Sequence, residues 1–205
     1  MSFSDFTLPE VARTFRLVLD ETAMIFASLP EAPVSPLLTA TLAENLPLAL
    51  AIHTEKARSE LLIAPMLVEL RRLLEHRISL FSGVAFDVDS EQGLSGACDY
   101  LLSRSSEQLY IRAPVAAIVE AKNDNLKAGL GQCIAQMVGA RLFNERANNG
   151  IDVVYGMVTT GGLWKPLELK GQTVAIDPGE YYISQTGRVL GILRHMVSGP
   201  PVPTG

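Results

Sequence analysis

The sequence of 205 residues lacks several features that would assign a protein class directly. It has no long hydrophobic run: residues 46–52 and 113–119 fall far short of the roughly 18 apolar residues of a membrane-spanning helix. We therefore expect no membrane association. A basic segment followed by an apolar stretch is also missing at the N-terminus, so we expect no secretory signal and a cytoplasmic location. Two cysteines, Cys98 and Cys133, are too few for a disulfide framework and agree with a reducing compartment.

Positive charge is scarce as well. The chain has 17 Lys and Arg against 22 Asp and Glu, for a net charge of −5. Most of that excess lies in residues 1–50, which carry −4, so the rest of the chain is nearly neutral. Net charge therefore does not indicate a nucleic-acid-binding protein, and it does not exclude one. Low net charge and 48% hydrophobic residues predict a folded domain and exclude a disordered chain.

The hydrophobic pattern predicts one α/β (α+β) domain around a mixed central sheet, with the order helix, three strands, helix, strands, helix. Residues 1–50 are interpreted as a helical lead-in, with helices near 8–19 and 37–46. The domain itself is expected to span residues 51–197 and to end in a flexible Pro/Gly-rich tail, 198–205. Its predicted helices are 54–76 with a kink at Pro65, 126–146 and 181–197; its predicted strands are 78–88, 94–104, 114–122, 152–159, 163–169 and 172–176.

Two carboxylates and a lysine are the candidate functional residues. Asp99 falls inside a predicted strand, and Glu120 ends the next one, a nearly continuous apolar run typical of a strand buried on both faces. A hairpin connection would bring the two carboxylates side by side. Lys122 follows Glu120 by two residues and therefore points to the same face of a strand. Carboxylate oxygens at a strand end, beside an ammonium group, predict a site for Mg²⁺ or Mn²⁺.

Three further polar residues accompany this set. Glu60 lies on the apolar stripe of the helix predicted for residues 54–76, where a buried carboxylate costs stability unless it is paired. It points to the site, or else it pairs with Arg58 or another base, or it sits at the Pro65 kink. Gln132 and Gln136 are one turn apart on one face of the helix after Lys122, so one could reach the site while the other caps a backbone group.

This arrangement resembles the PD-(D/E)XK nuclease superfamily, whose members share the restriction-endonuclease-like fold. The resemblance covers residues 54–162 as an αβββαβ core. In detail the sequence is similar to an uncharacterised bacterial branch of the superfamily, which implies no particular substrate. It implies that Asp99 and Glu120 are the two acids of the motif and that Lys122 is its lysine. The sequence departs from the named motif at Cys98, which precedes Asp99 where the motif has proline; many members lack that proline.

The resemblance also implies a role for each remaining residue. Glu60 matches the acid often found on the helix before the strands, and Gln132 or Gln136 matches the glutamine that many members have near the site. The implied activity is hydrolysis of DNA by a metal-activated water in line with the leaving oxygen. Asp99, Glu120 and the main-chain carbonyl of Ala121 would hold Mg²⁺ or Mn²⁺, Lys122 would position the water, and Glu60 would orient a second metal or a water.

Two other functions remain open from the residues alone: a catalytically silent scaffold that binds a partner or oligomerises, and an enzyme acting on a different phosphoester. A homodimer is expected for a nuclease, because one small domain contacts only a short stretch of duplex DNA. The cations near the predicted site either contact phosphates or pair with neighbouring glutamates; they are Arg58, Arg71, Arg72, Arg77, Lys127, Arg141 and Arg146. Trp164, Tyr181 and Tyr182 either stack on bases or pack in the core.

Overall fold

The computed structural model describes residues 1–198, so all but the first residue of the expected tail lies outside the described residues. Six α-helices are present there: α1 (Leu8–Thr14), α2 (Pro36–Ile52), α3 (Glu55–Arg58), α4 (Ala64–Leu73), α5 (Leu126–Arg146) and α6 (Thr186–Val197). The strands are β1 (Val18–Asp20), β2 (Ser79–Ala85), β3 (Ala97–Ser103), β4 (Val115–Ala121), β5 (Val153–Thr159), β6 (Leu163–Lys170), β7 (Thr173–Ile176) and β8 (Tyr181–Tyr182). The predicted order of helix, three strands, helix, strands and helix is confirmed.

The strands form one mixed sheet in the order β1-β7-β6-β5-β4-β3-β2, and β8 pairs with β6. The pairs β4–β5 and β1–β7 are parallel and the others are antiparallel. Helix α5 is the crossover that the parallel pair β4–β5 requires. Every residue of β4 is buried, as its apolar sequence predicts for a central strand. The C-terminal end of β4 is therefore enclosed by β3 and β5.

Each face of the sheet is covered by a separate hydrophobic core. Helix α5 and the first residues of the chain pack on one face, where Ile118 of β4 contributes to the core. Helices α2, α4 and α6 cover the other face, which receives Val119. Because side chains alternate along a strand, Glu120 returns to the α5 face. None of the helices in residues 1–198 combines the length and apolarity that crossing a bilayer requires.

The lead-in is not purely helical and is part of the sheet. The helix expected over residues 8–19 ends at Thr14, and Val18–Asp20 instead forms β1, which extends the sheet beside β7. Helix α2 is longer than predicted and runs through Pro47 to Ile52, across the expected boundary at residue 50. Pro47 is exposed, so water can bind the carbonyl that a proline leaves without its helical N–H partner.

The helix predicted for residues 54–76 is interrupted by a π-helical turn, Ser59–Ile63, in which the Ala64 N–H bonds to the Ser59 carbonyl. A turn with this i→i+5 spacing holds one residue more than an α-helical turn, so it rotates the preceding side chains relative to the apolar stripe. The inward positions before the turn are consequently Ala57 and Arg58, both buried. Glu60 is exposed, and the expectation that it lies on the buried face is wrong.

Candidate active site

The predicted acids meet where the β3–β4 ladder ends. The last register pair at this end joins Tyr100 to Val119, so Asp99 and Glu120 are the next residues along the two strands. The Asp99 carboxylate accepts a hydrogen bond of 2.8 Å from the Ala121 N–H. Asp99 therefore replaces a main-chain acceptor at the ladder end, which fixes its carboxylate beside the end of β4.

Glu120 is the buried centre of the site. It is 1% exposed, and both of its carboxylate oxygens have donors. Lys122 Nζ lies 2.6 Å from Oε1, and Gln136 Nε2 donates to Oε2 at 3.1 Å. Lys122 Nζ also lies 3.4 Å from the side-chain oxygen of Gln132. Of the six side chains predicted for the site, five therefore gather at the end of β4 under α5: Asp99, Glu120, Lys122, Gln132 and Gln136.

Helix α5 approaches β4 closely because of Gly129. A Cβ at this position would lie 2.7 Å from a Val158 methyl carbon and 3.0 Å from Lys122 Cγ. The space left by the missing side chain lets the Lys122 chain run beneath the helix to Glu120. The sequence indicates only that small residues permit close packing; the contact with Lys122 requires the three-dimensional structure.

The electrostatics of the site follow from this burial. Burial, reinforced by the negative charge of Asp99, raises the pKa of Glu120 to about 7, although Lys122 and Gln136 act in the opposite direction. Burial lowers the pKa of Lys122, but the charges of Glu120, Glu55 and Asp99 and the hydrogen bond to Glu120 outweigh it, so the pKa is raised. Lys122 is therefore a stable cation, whereas Glu120 changes protonation near neutral pH.

Of the alternatives left open for Glu60, the structure shows pairing with a base other than Arg58. Glu60 is paired with Lys56 at 2.8 Å, and no hydrogen bond joins it to the other predicted site residues within residues 1–198. Glu55, in the first turn of α3, is the helix carboxylate whose charge acts on Lys122. The sequence explains Glu55 as a favourable charge at a helix N-terminus, after the N-cap Thr54. Glu55 can be recognised as a neighbour of Lys122 only when the structure shows how the π turn orients α3.

The donor set suits a hard cation that keeps much of its water shell. No group of three or more His, Cys, Asp or Glu side chains converges anywhere in residues 1–198. Asp99, Glu120 and the Ala121 carbonyl are oxygen donors, and Mg²⁺ commonly binds one or two carboxylates plus water and substrate phosphate. A second observation is Gln136 Oε1, which is buried and has no hydrogen-bond partner in the described chain. Such an atom needs a donor, and a water in a metal shell is one.

The two cysteines do not add a nucleophile. Both are buried free thiols. Burial, together with the negative charges of Glu120 and Asp99, raises the pKa of Cys98 above its ordinary range. Burial likewise raises the pKa of Cys133 well above its usual value. Thiols in this state are not thiolates at neutral pH and act as small apolar residues.

Most of the candidate phosphate-binding cations are paired with carboxylates. Pairing with neighbouring glutamates, one of the two roles that the sequence left open, is observed for Arg72, Arg77 and Arg141, which pair with Glu69, Glu75 and Glu145. Arg58 pairs with Asp124 and Arg146 with Asp89, whereas Arg71 and Lys127 form no ion pair within residues 1–198. Trp164 is fully buried and donates its N–H to the Gly161 carbonyl, so it packs in the core and does not stack on bases. Tyr181 is also buried, while Tyr182 is exposed.

Stability is expected to decrease between pH 5 and pH 8 because of Glu120. Its pKa rises from 4.5 to about 7 on folding, so in this range the folded state binds more protons than the unfolded state. The stabilising contribution is complete below pH 4.5 and is lost as pH rises through 7, with a total of about 3 kcal/mol. Urea unfolding of the wild type and Glu120→Gln across this range measures the effect, and the variant should show a flatter profile. Parallel profiles would contradict the burial of a titrating Glu120.

The chain was compared with models of protein families, with curated proteins and with solved structures, and none of these comparisons found a match.

Proposed function

We propose that the protein is a metal-dependent phosphodiesterase that hydrolyses DNA. The observation that carries the proposal is the convergence of Asp99, Glu120 and Lys122 at one strand end, with Glu120 buried and hydrogen-bonded. Burying a carboxylate beside a second carboxylate costs free energy. A folded domain retains such an arrangement most readily when the charges serve chemistry, because strongly perturbed groups cluster at functional sites.

The order of elements supports the same proposal. Helix α4, strands β2, β3 and β4, helix α5 and strand β5 follow one another along the chain, and their strands are adjacent in the order β2-β3-β4-β5. This order agrees with the αβββαβ core that the resemblance implies, and on that basis we propose a restriction-endonuclease-like core for this domain. In that core the acids lie on the second and third strands and the lysine follows the second acid, as Asp99, Glu120 and Lys122 do here.

Each residue has a defined role in the proposed reaction. Asp99, Glu120 and the Ala121 carbonyl would hold Mg²⁺ or Mn²⁺, which supplies Lewis acidity toward the phosphate oxygens when bound. The Lys122 ammonium stabilises the negative charge that develops on the phosphate during attack, and it orients the attacking water. Gln136 holds Glu120 Oε2 through its amide N–H, which leaves the carboxylate fixed in one orientation. Gln132 contacts the Lys122 ammonium through its side-chain oxygen, which accepts a hydrogen bond from Nζ.

The direct test is hydrolysis of labelled DNA by the purified protein with and without Mn²⁺. Single-stranded, duplex and branched DNA, an RNA oligonucleotide and bis(p-nitrophenyl) phosphate form the substrate set. We expect Mn²⁺-dependent cleavage of at least one DNA form. Cleavage of only bis(p-nitrophenyl) phosphate would favour an enzyme acting on a different phosphoester. If none of these substrates is cleaved with Mn²⁺, the proposal is contradicted.

A silent scaffold is the second candidate function, and two observations favour it. Both oxygens of Glu120 already accept hydrogen bonds from side chains, so the Glu120 carboxylate has its partners without a ligand. Helix α2 exposes four large apolar side chains, Leu37, Leu48, Leu50 and Ile52, on a helix whose only charged residue is Glu44. A scaffold would show concentration-dependent oligomerisation and no salt-sensitive DNA affinity, since phosphate contacts release counterions on binding.

A further inference from the structure

Arg58 is a buried cation to which the proposed reaction assigns no role. The residue is 7% exposed, and its Nε atom has no hydrogen-bond partner among residues 1–198. Burying a guanidinium group is costly unless it is fully paired, and an apolar side chain of similar volume would often be more stable. The π turn shifts the helical residues before it by one position, and Arg58 faces inward while Glu60 is exposed. A costly group kept in this position calls for a reason other than stability.

The guanidinium group joins α3 to two segments distant in sequence. Nη1 donates to the Thr160 carbonyl at 3.2 Å, just beyond the end of β5. Nη2 lies 3.3 Å from His53 Nδ1 and 3.8 Å from a carboxylate oxygen of Asp124. His53 Nε2 in turn lies 3.5 Å from the other oxygen of Asp124. Arg58 therefore contacts both the segment after β5 and the loop between β4 and α5.

That loop carries Lys122 out of the sheet. The Lys122 N–H donates to the Thr159 carbonyl at 2.8 Å, and Asp124 follows two residues later. Thr160, which Arg58 holds, directly follows Thr159. Arg58 thus contacts the residue after Thr159 and the loop after Lys122. The hydrogen bond between Thr159 and Lys122 determines where the Lys122 main chain lies. A shift in this bond would displace Lys122 Nζ from Glu120, because the side chain is confined beneath Gly129.

We propose that Arg58 is a positioning residue, which clamps the residue 122–124 loop to the end of β5 and so holds Lys122 against Glu120. Its catalytic consequence rests on the proposed function, whereas its effect on the loop does not. The charge of Arg58 itself opposes the binding of a divalent cation nearby, since like charges repel. Positioning and simple electrostatics therefore predict opposite effects when the charge is removed.

The first experiment measures Mn²⁺ affinity by calorimetry in the wild type, Arg58→Met and Arg188→Met. Arg188 is a matched control, because it also fastens a segment through main-chain carbonyls, those of Phe26, Ala27 and Leu29, but on α6. We expect Arg58→Met to weaken Mn²⁺ binding about 10-fold or more, the range for lost supports of a metal site. Arg188→Met should leave the affinity unchanged. Tighter Mn²⁺ binding by Arg58→Met would overturn the proposal, because electrostatics alone would then explain the residue.

The second experiment measures the loop without any metal, so it holds even if the protein binds no Mn²⁺. Native-state hydrogen exchange reports local opening at single amides. We expect the Lys122 amide to lose at least tenfold in protection in Arg58→Met, with core amides of β4 unchanged. If Arg58→Met does not fold, Arg58→Lys keeps the charge but lacks the planar fork, and it should show the same local loss. Equal protection of the Lys122 amide from exchange in the variant and the wild type would overturn the proposal for Arg58. Mn²⁺ binding without cleavage would count against the proposed function and not against the role of Arg58.

Discussion

Glu120→Gln is expected to abolish Mn²⁺-dependent hydrolysis while the protein stays folded. Glutamine has nearly the same shape, accepts the hydrogen bond from Lys122, and can donate to the buried, unpartnered Gln136 Oε1 after the Gln136 amide turns over. It lacks the negative charge that holds a cation. Lewis-acid stabilisation contributes several kcal/mol, so the loss should be about 10²- to 10⁴-fold in kcat/KM. Steady-state kinetics with the best substrate of the cleavage screen measures it.

Asp99→Asn should have the same effect, because asparagine keeps an acceptor for the Ala121 N–H but removes the charge. The control is Glu145→Gln, which removes an exposed carboxylate that pairs with Arg141 on α5. Its activity should equal that of the wild type, and circular dichroism should show that all three variants are folded. Full activity in folded Glu120→Gln or Asp99→Asn would show that these acids do not serve catalysis.

Lys122→Met is expected to be strongly destabilising at pH 8 and only mildly so at pH 5. Lys122 is the ammonium group bonded to Glu120, which is buried and ionised above its pKa of about 7. Removing one partner of a buried ion pair costs about 3–5 kcal/mol, because the remaining charge is left uncompensated. At pH 5 Glu120 is protonated and neutral, so most of this cost disappears. Urea unfolding at the two pH values measures the difference.

The double variant Lys122→Met/Glu120→Gln separates the structural part of this pair from the chemical part. Without either charge, nothing is left uncompensated, so stability at pH 8 should return close to that of the wild type. Hydrolysis should remain absent, since both functional groups are gone. A loss in Lys122→Met that is equal at pH 5 and pH 8, or that persists in the double variant, would contradict the ion pair described here.

Local sequence predicted the elements whose signals are local. Both ends of α5 were predicted, because Asn125 caps its first turn and the apolar pattern continues to Arg146. The buried strand β4 was recognisable from its continuous apolar run. Strand β1 was not, since Val18–Asp20 is stabilised by pairing with β7, more than 150 residues later. Pairing between such distant segments leaves no periodic signal in a strand of three residues.

The site residues that lie on strands could be predicted, because side chains alternate along a strand. The residues that the helix before β2 directs toward the site could not be predicted. Glu120 and Lys122 share a face because they are two residues apart on one strand. Glu60 was misplaced because a π turn changes which residues face inward, and no residue type announces such a turn. The same change hid Arg58, whose partner Thr160 is 102 residues away in sequence. Glu55 could be identified only once the orientation of α3 toward Lys122 was known.

The most direct test of the account is calorimetric titration of Mn²⁺ into the wild type and Asp99→Asn. The titration is run on the protein alone and with a phosphorothioate oligonucleotide that resists cleavage, because substrate phosphate commonly completes a Mg²⁺-type shell. We predict binding by the wild type that Asp99→Asn weakens strongly or removes. Absence of Mn²⁺ binding by the wild type in both conditions, or equal binding by Asp99→Asn, would contradict a metal site at the end of β4.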